Sequence, residues 1–203
     1  MKQEEKTELT KSKILSAAMQ EFGMNGYAAG SINHICKAGI NKGLIYHNYK
    51  DKEELYLECV KKTCEDLICY IAEQKAETGF VAYMSARMRF FREHEAQGYL
   101  FLETRTNPPK QLAGQIEKIY AELDALNRRV FEKELADYEL RSGVSKEEAI
   151  QYFFEMQKLY NLNFANRQSE GMPLYEQLTL HEAYIEKIFD LMLYGIAIGG
   201  NKK

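Results

Sequence analysis

The sequence is poor in residues that break helices. Only three prolines, Pro108, Pro109 and Pro173, occur in 203 residues, and proline disrupts a helix interior because it lacks a backbone N–H donor. The composition is rich in leucine, alanine, glutamate, lysine and methionine, which favour helices. The sequence has no internal repeat and no alternating strand pattern. It therefore predicts an all-α fold.

Long apolar runs are also lacking. The longest charge-free stretch near the C-terminus, Leu191 to Asn201, is about half the length that a membrane-spanning helix needs. The N-terminal run MKQEEKTELTK is too polar for a secretory signal peptide. We expect a cytoplasmic protein that does not engage membranes.

Cysteines are few and poorly spaced for metal binding. The chain has four, Cys36, Cys59, Cys64 and Cys69, which we expect to be reduced thiols. Five residues turn a helix through about 500°, so the last three thiols would be spread around one predicted helix. No Cys or His pair has the tight spacing of a metal site. We expect no metal and no cofactor, and packing is favoured over thiol or metal sensing.

Acidic residues are absent from one segment near the N-terminus. The whole chain has 27 basic and 30 acidic side chains and a net charge of −3. Residues 22–50, however, contain no Asp or Glu and include Lys37, Lys42 and Lys50. An acid-free face is typical of a module that binds a polyanion. Taken alone, the charge pattern is explained equally well by chance composition.

Cap and turn residues divide the chain into nine predicted helices. Ser31, Asn41 and Asp51 are natural N-caps, and Gly39 between the first two permits a tight turn. Gly26 is placed to end the first helix. The predicted helices run at about residues 10–24, 32–38, 42–49, 52–74, 80–94, 98–105, 110–140, 146–168 and 174–198. The second and third are short and joined by a tight turn, as in a helix-turn-helix.

These two short helices and the start of the fourth contain the run AGINKGLIYHNYKDKEEL. The run resembles the DNA-binding segment of the TetR family of transcriptional regulators. The resemblance covers about residues 7–67, with the helix-turn-helix at about 30–49; further along, only the nine-helix layout agrees. It implies a helix-turn-helix DNA-binding domain at 1–52 and a helical effector-binding and dimerisation domain at 53–203.

The third predicted helix has the chemistry to read DNA. A helix fits the major groove, and side chains near its N-terminus reach base edges. Lys42 can donate to guanine or phosphate, and Gly43 lets the backbone approach the duplex. The candidate DNA-binding residues are Ser31, Lys42, Gly43, Leu44, Tyr46, His47, Asn48 and Lys52. The bland alternative is a helical hairpin with no DNA role.

The last two predicted helices have apolar residues on more than one face. On the eighth, Phe153 and Phe154 lie on one face, whereas Leu159 and Leu162 lie on the other. A helix buried on two faces needs two partners, and helix-turn-helix proteins commonly bind DNA as two-fold dimers. The resemblance implies a homodimer formed through about 145–168 and 174–198.

Polar residues interrupt the apolar faces of the middle helices, as Arg87 does on the fifth helix and Asn127 on the seventh. Such groups need partners from the protein or from a ligand. Singly, each is better explained by a structural hydrogen bond; together they suggest an apolar pocket in which Arg87 binds an anion. The candidate ligand-binding residues are Met84, Arg87, Phe91, Tyr120, Asn127, Gln157 and Asn161.

These features predict a homodimeric regulator that represses transcription from a palindromic operator and is released by an unidentified small-molecule effector. The family mechanism implies that the effector moves the fourth helix and thereby the recognition helices. One alternative is an all-helical enzyme with an active site around Arg87, and another is a regulator controlled by a protein partner. No zinc-protease, serine-hydrolase or P-loop motif is present, so we expect no enzyme and assign no catalytic residue.

Overall fold

The computed structural model describes residues 3–164 and 172–194, which form helices and no strand. The helices are α1 (Gln3–Ala29), α2 (Ile32–Cys36), α3 (Lys42–Asn48), α4 (Lys52–Glu73), α5 (Phe80–Glu93), α6 (Glu95–Thr106), α7 (Ala113–Leu135), α8 (Lys146–Phe164) and α9 (Leu174–Tyr194). A short 3₁₀ helix, Ala76–Thr78, precedes α5. The predicted all-α, nine-helix architecture is confirmed over this part of the chain. The predicted dimer segments at 165–168 and 195–198 lie outside the described residues.

Helix α1 is longer than the sequence predicts. It begins at Gln3, before the predicted start at about residue 10, and a short helical turn follows Gly26 up to Ala29. Gly26 has φ 68° and ψ 177°, a conformation that glycine adopts readily. The N–H of Gly30 donates to the carbonyl of Gly26 at 3.0 Å. Gly26 therefore ends the regular helix at a kink, as the sequence predicts, and one more turn leads toward α2.

The caps of the next three helices lie where the sequence places them. The side chains of Ser31, Asn41 and Asp51 each accept a hydrogen bond from a backbone N–H two or three residues further along. Gly39 has φ 82°, so the turn between α2 and α3 uses the left-handed region. Local side-chain chemistry thus fixes where α2, α3 and α4 begin.

Buried side chains hold the three N-terminal helices together. Phe22 of α1, Ile35 of α2 and Ile45 of α3 are almost fully buried. The ring of Phe22 packs edge-on against Tyr56 of α4, with centroids 5.2 Å apart. Because Ile45 points inward, the opposite face of α3 lies at the surface.

Helix α6 occupies the centre of the molecule and contacts α1, α4, α5, α8 and α9. Its approach to α1 is close: a Cβ added at Gly23 would lie 2.4 Å from the carbonyl oxygen of Ala96. The absence of a side chain at Gly23 therefore lets the two helices pack. Within the described ranges, no helix is long and apolar enough to cross a membrane.

Candidate DNA-binding surface and ligand cavity

The outer face of α3 carries most of the predicted DNA-binding residues. Five of them, Lys42, Gly43, Leu44, Tyr46 and His47, are exposed. The remaining candidates are the half-buried Ser31, Asn48 and Lys52. The arrangement presents the N-terminal end of a short helix, with a lysine and a glycine, to the surface.

Two of the polar side chains of α3 already have partners. The ammonium group of Lys42 donates to Asn33 Oδ1 at 3.0 Å, and Asn48 Nδ2 donates to the carbonyl of Leu44 at 2.8 Å. Sequence reasoning missed Asn33, an exposed residue of α2. Its side chain pairs with Lys42 across the turn that joins α2 and α3. The available signal was its position, second in α2 and two residues after the Ser31 cap.

A carboxylate just outside the acid-free segment ties α1 to α2. Glu21 Oε1 accepts the Ser31 N–H at 3.0 Å and lies 3.1 Å from His34 Nδ1. Since the Ser31 N–H is occupied, the hydroxyl of Ser31 is the group that remains for a phosphate. Burial of Glu21, whose side chain is only 12% exposed, keeps this negative charge from the outer face.

A cavity of about 890 Å³ lies among α5, α6, α7, α8 and α9. Five of the seven predicted ligand-binding residues line it, namely Arg87, Tyr120, Asn127, Gln157 and Asn161. Met84 instead borders a small adjoining void, beside Arg87 and Asn127. Phe91 is buried behind the wall, with its ring centroid 4.9 Å from that of Phe101, which does line the cavity.

Arg87 is held by a carboxylate that sequence reasoning missed. Its Nε and Nη2 donate to the two oxygens of Glu182 at 2.8 and 2.9 Å, and its Nη1 donates to Tyr83 Oη at 3.3 Å. Burial opposes ionisation of Glu182, but the Arg87 guanidinium and a hydrogen bond from His181 outweigh it and lower the pKa of the carboxyl to about 2. An anion bound at Arg87 would therefore have to compete with an internal carboxylate.

A signal for Glu182 was present in the sequence of α9. Leu178 and Ile185, four residues before it and three after, are both buried, so Glu182 lies on the apolar stripe of the helix. A carboxylate on a core face requires a cationic partner. Which cation it meets is a tertiary property, because Arg87 is 95 residues away.

Three other polar residues of the wall, Asn127, Asn161 and His181, also have protein partners. Tyr83 Oη donates to Asn127 Oδ1. Asn161 Oδ1 lies 2.9 Å from His181 Nε2, and Nδ1 of that histidine lies 3.2 Å from Glu182 Oε1. No buried side-chain nitrogen or oxygen in the described part of the chain lacks a hydrogen-bond partner. Structural hydrogen bonding therefore accounts for each of these groups individually.

Two further arginines line the cavity, and each has an acidic partner. Arg105 Nη2 lies 2.6 Å from Asp124 Oδ1, and its guanidinium is 3.6 Å from the ring centroid of Tyr120. Arg128 Nη2 lies 2.8 Å from Glu147 Oε1. The wall thus combines aromatic surface with locally neutralised charges.

Helices α8 and α9 expose a band of large apolar and aromatic side chains. On α8 the band includes Leu159 and Leu162, which are 53% and 60% exposed. Its other members are Tyr152, Tyr175, Leu180, Tyr184, Leu191 and Tyr194. A band of this size on two neighbouring helices is typical of an interaction surface.

The N-terminal part of the chain is similar to known bacterial regulatory proteins. Residues 14–59 match the family model described as bacterial regulatory proteins, tetR family. The chain is 26% identical over 118 residues to the transcriptional activator FasR of Mycolicibacterium smegmatis, a match that spans 53% of this chain and 52% of that protein. It is 33% identical over 76 residues to the regulator UidR of Escherichia coli K12, with 37% and 39% covered. The matched region spans about half or less of these relatives.

The fold has counterparts among solved structures. FadR from Bacillus subtilis, solved with stearoyl-CoA, superposes with a TM-score of 0.62 at 18% identity and covers 92% of this chain and 99% of its own. FadR from Bacillus halodurans gives a TM-score of 0.60 at 17% identity, with the same coverage. The architecture is that of a helix-turn-helix protein with a helical second domain. Residues 14–59 are thus similar to the tetR family of bacterial regulatory proteins, and the described helices share the fold of these solved structures.

Proposed function

We propose that this protein is a transcriptional repressor that binds DNA as a homodimer and responds to a small molecule. Residues 1–52 form the DNA-binding domain, and residues 53–203 form the effector-binding and dimerisation domain. The observation that carries the proposal is the exposed N-terminal end of α3, where Lys42 and Gly43 lie in a segment without acidic residues. Such an end enters the major groove in helix-turn-helix proteins.

Dimerisation follows from the size of the recognition surface. A single short helix makes too few contacts to select one site in a genome, and a two-fold dimer doubles them on a palindromic operator. The exposed band on α8 and α9 supports self-association, because a symmetric interface needs one self-complementary patch. We assign the homodimer interface to about 145–168 and 174–198.

The cavity supports control by a small molecule. Its volume of about 890 Å³ falls within the usual range of ligand pockets, roughly 300–1,000 Å³. Because a cavity is present where a filled core would favour regulation by a protein partner, a small effector is the better proposal. The engagement of Arg87 by Glu182 gives that arginine a structural role, which weakens the case for an enzyme built around it.

Release of the operator then requires the effector to discriminate between two conformations. A ligand that binds the DNA-free arrangement better shifts the protein toward it, and operator affinity falls by the ratio of the two ligand affinities. The cavity wall includes α6, which also packs against α1 and α4. A change in the wall therefore has a short physical route to the DNA-binding domain.

DNA binding is tested by fluorescence anisotropy with a fragment from upstream of the gene and a scrambled fragment. We expect the wild type to prefer the upstream fragment strongly, and Lys42→Ala to weaken binding by about tenfold or more. Lys118→Ala is the matched control, since Lys118 is an exposed lysine of α7, and it should bind like the wild type. Weak binding that is equal on both fragments would refute the proposal.

The dimer is tested by sedimentation of two matched variants. Leu159→Lys places a charge in the exposed band of α8 and should convert the protein to a monomer, whereas Val81→Lys, at an exposed apolar site on α5, should not. A wild type that sediments as a monomer, or a dimer that survives Leu159→Lys unchanged, would contradict the assigned interface.

The effector site is tested with a small-molecule panel that includes stearoyl-CoA, the ligand in the B. subtilis FadR structure. A true effector should raise the melting temperature and, at the same concentration, release the upstream fragment. A compound at one hundred times its dissociation constant stabilises by about 2.7 kcal/mol. Stabilising compounds that leave DNA binding unchanged would argue against an effector role for the cavity.

A further inference from the structure

Helix α6 has one side in the ligand cavity and another side against the DNA-binding domain. Phe101, Thr104 and Arg105 line the cavity. Residues that are two positions apart in a helix differ in direction by about 200°. Glu103 therefore points away from Phe101 and Arg105. Its side chain reaches α1 and α4 instead.

The carboxylate of Glu103 bridges those two helices. Its Oε1 accepts the backbone N–H of Tyr27 at 2.8 Å, and its Oε2 accepts the hydroxyl of Tyr56 at 2.7 Å. Tyr27 directly follows the kink of α1, and Tyr56 lies in the second turn of α4. One side chain of the cavity helix thus binds the chain just before α2 and just after α3.

The geometry at the α1 kink is fitted to this carboxylate. A Cβ added at Gly26 would lie only 2.6 Å from Glu103 Oε1. The positive φ of Gly26 and the absence of its side chain together allow the Tyr27 N–H to reach Glu103. The rings of Tyr27 and Tyr56 also pack edge-on, with centroids 4.9 Å apart, and Lys52 lies 4.5 Å from the Tyr27 centroid.

We propose that Glu103 is the positioning residue that couples the cavity to the helix-turn-helix. A ligand that displaces α6 through Phe101 or Arg105 moves the carboxylate relative to Tyr27 and Tyr56. The flanks of the recognition unit then shift together, because both are bound to one group. The inference rests on the proposed function and adds a specific residue to it.

Coupling between two sites is reciprocal, so DNA itself serves as the probe and no effector is needed. Hydrogen–deuterium exchange is followed in α6 with and without the upstream fragment, at DNA concentrations that saturate each variant. In the wild type, DNA should slow exchange in the 95–106 peptides. Glu103→Ala should still bind DNA, more weakly, but lose this response in α6. In its free state, exchange at Tyr27 should be about tenfold faster.

Three variants separate coupling from a general loss of stability. Glu122→Ala removes an exposed carboxylate of α7 and should respond like the wild type. Glu103→Gln keeps an acceptor for the Tyr27 N–H and should restore most of the response. Tyr56→Phe removes the single hydroxyl that donates to Glu103 and should also reduce the response. It serves as the test variant if Glu103→Ala does not fold.

The outcomes distinguish this inference from the proposed function. If the wild type fails to bind the upstream fragment selectively, the proposed function is wrong. If the wild type binds it and α6 shows no response, the coupling is refuted. It is equally refuted if Glu103→Ala retains the full response. If Glu103→Ala does not fold, a full response in Tyr56→Phe refutes the coupling instead.

Discussion

The buried pair of Arg87 and Glu182 gives the strongest prediction about stability. Arg87→Met removes the cation and leaves the Glu182 carboxylate buried among α5, α8 and α9. Both side chains are at most 4% exposed, so the Glu182 carboxylate would lose its cationic partner at a site far less hydrated than the surface. Removal of one member of a buried ion pair costs about 3–5 kcal/mol. For a chain of this size that corresponds to a fall in melting temperature of roughly 6–20 °C.

The double variant Arg87→Met with Glu182→Leu removes both charges and should be more stable than Arg87→Met alone. The reason is that an apolar pair avoids the unpaired buried carboxylate, and such replacements are often close to neutral. The assay is thermal and urea unfolding at one fixed protein concentration, since dimerisation makes apparent stability depend on concentration. Arg128→Met, which breaks an exposed pair with Glu147, is the control and should melt like the wild type.

Glu182→Leu is also measured alone. The expected coupling would be refuted if the stability losses of Arg87→Met and Glu182→Leu simply add in the double variant. Additivity would mean that the two residues do not interact energetically across their 2.8 Å contact. A wild-type melting temperature for Arg87→Met would refute it more directly.

Further predictions concern pH and three glycines. Arg87 lowers the pKa of Glu182 to about 2 from 4.5. The stability from this ionisation is therefore present above about pH 4.5 and lost as the pH falls toward 2. In urea melts, the free energy of unfolding of Glu182→Gln should fall less steeply over this pH range than that of the wild type. Gly23→Ala should destabilise the protein in thermal melts, because the new methyl group would meet the Ala96 carbonyl. Gly114→Ala is the control and should be neutral or stabilising, since its methyl group meets nothing within 4 Å. Equal melting temperatures of the two variants would contradict the close packing of α1 on α6. Gly43→Ala should fold normally, since its Cβ meets only Asn41 Oδ1 at 3.1 Å. It should nevertheless weaken operator binding measured by fluorescence anisotropy. Unchanged affinity would mean that the backbone at Gly43 does not approach DNA closely.

The helix-turn-helix was predictable because its signals are local. Ser31, Asn41 and Asp51 bond to backbone groups two or three residues away, and the positive φ of Gly39 is a property of one residue. Such interactions leave a pattern in a short window of sequence. The exposed residues of α3 follow from the same window, because Ile45 fixes which side of α3 is buried.

The cavity among α5–α9 was only partly predictable. Polar residues on apolar stripes identified Arg87 and Asn127, but their partners come from distant parts of the chain. Glu182 and Glu103 were missed for this reason: one pairs across 95 residues, and the other bonds to Tyr27 across 76.

We infer that this protein recognises a specific DNA site as a two-fold dimer. The most direct test is DNase I footprinting of the wild type on the region upstream of its gene, with excess non-specific competitor DNA. We expect a protected palindrome whose half-sites are about one helical turn, or a multiple of it, apart. Lys42→Ala should abolish this protection. Protection that is absent, that spreads over the fragment without sequence preference, or that survives Lys42→Ala unchanged would contradict this inference.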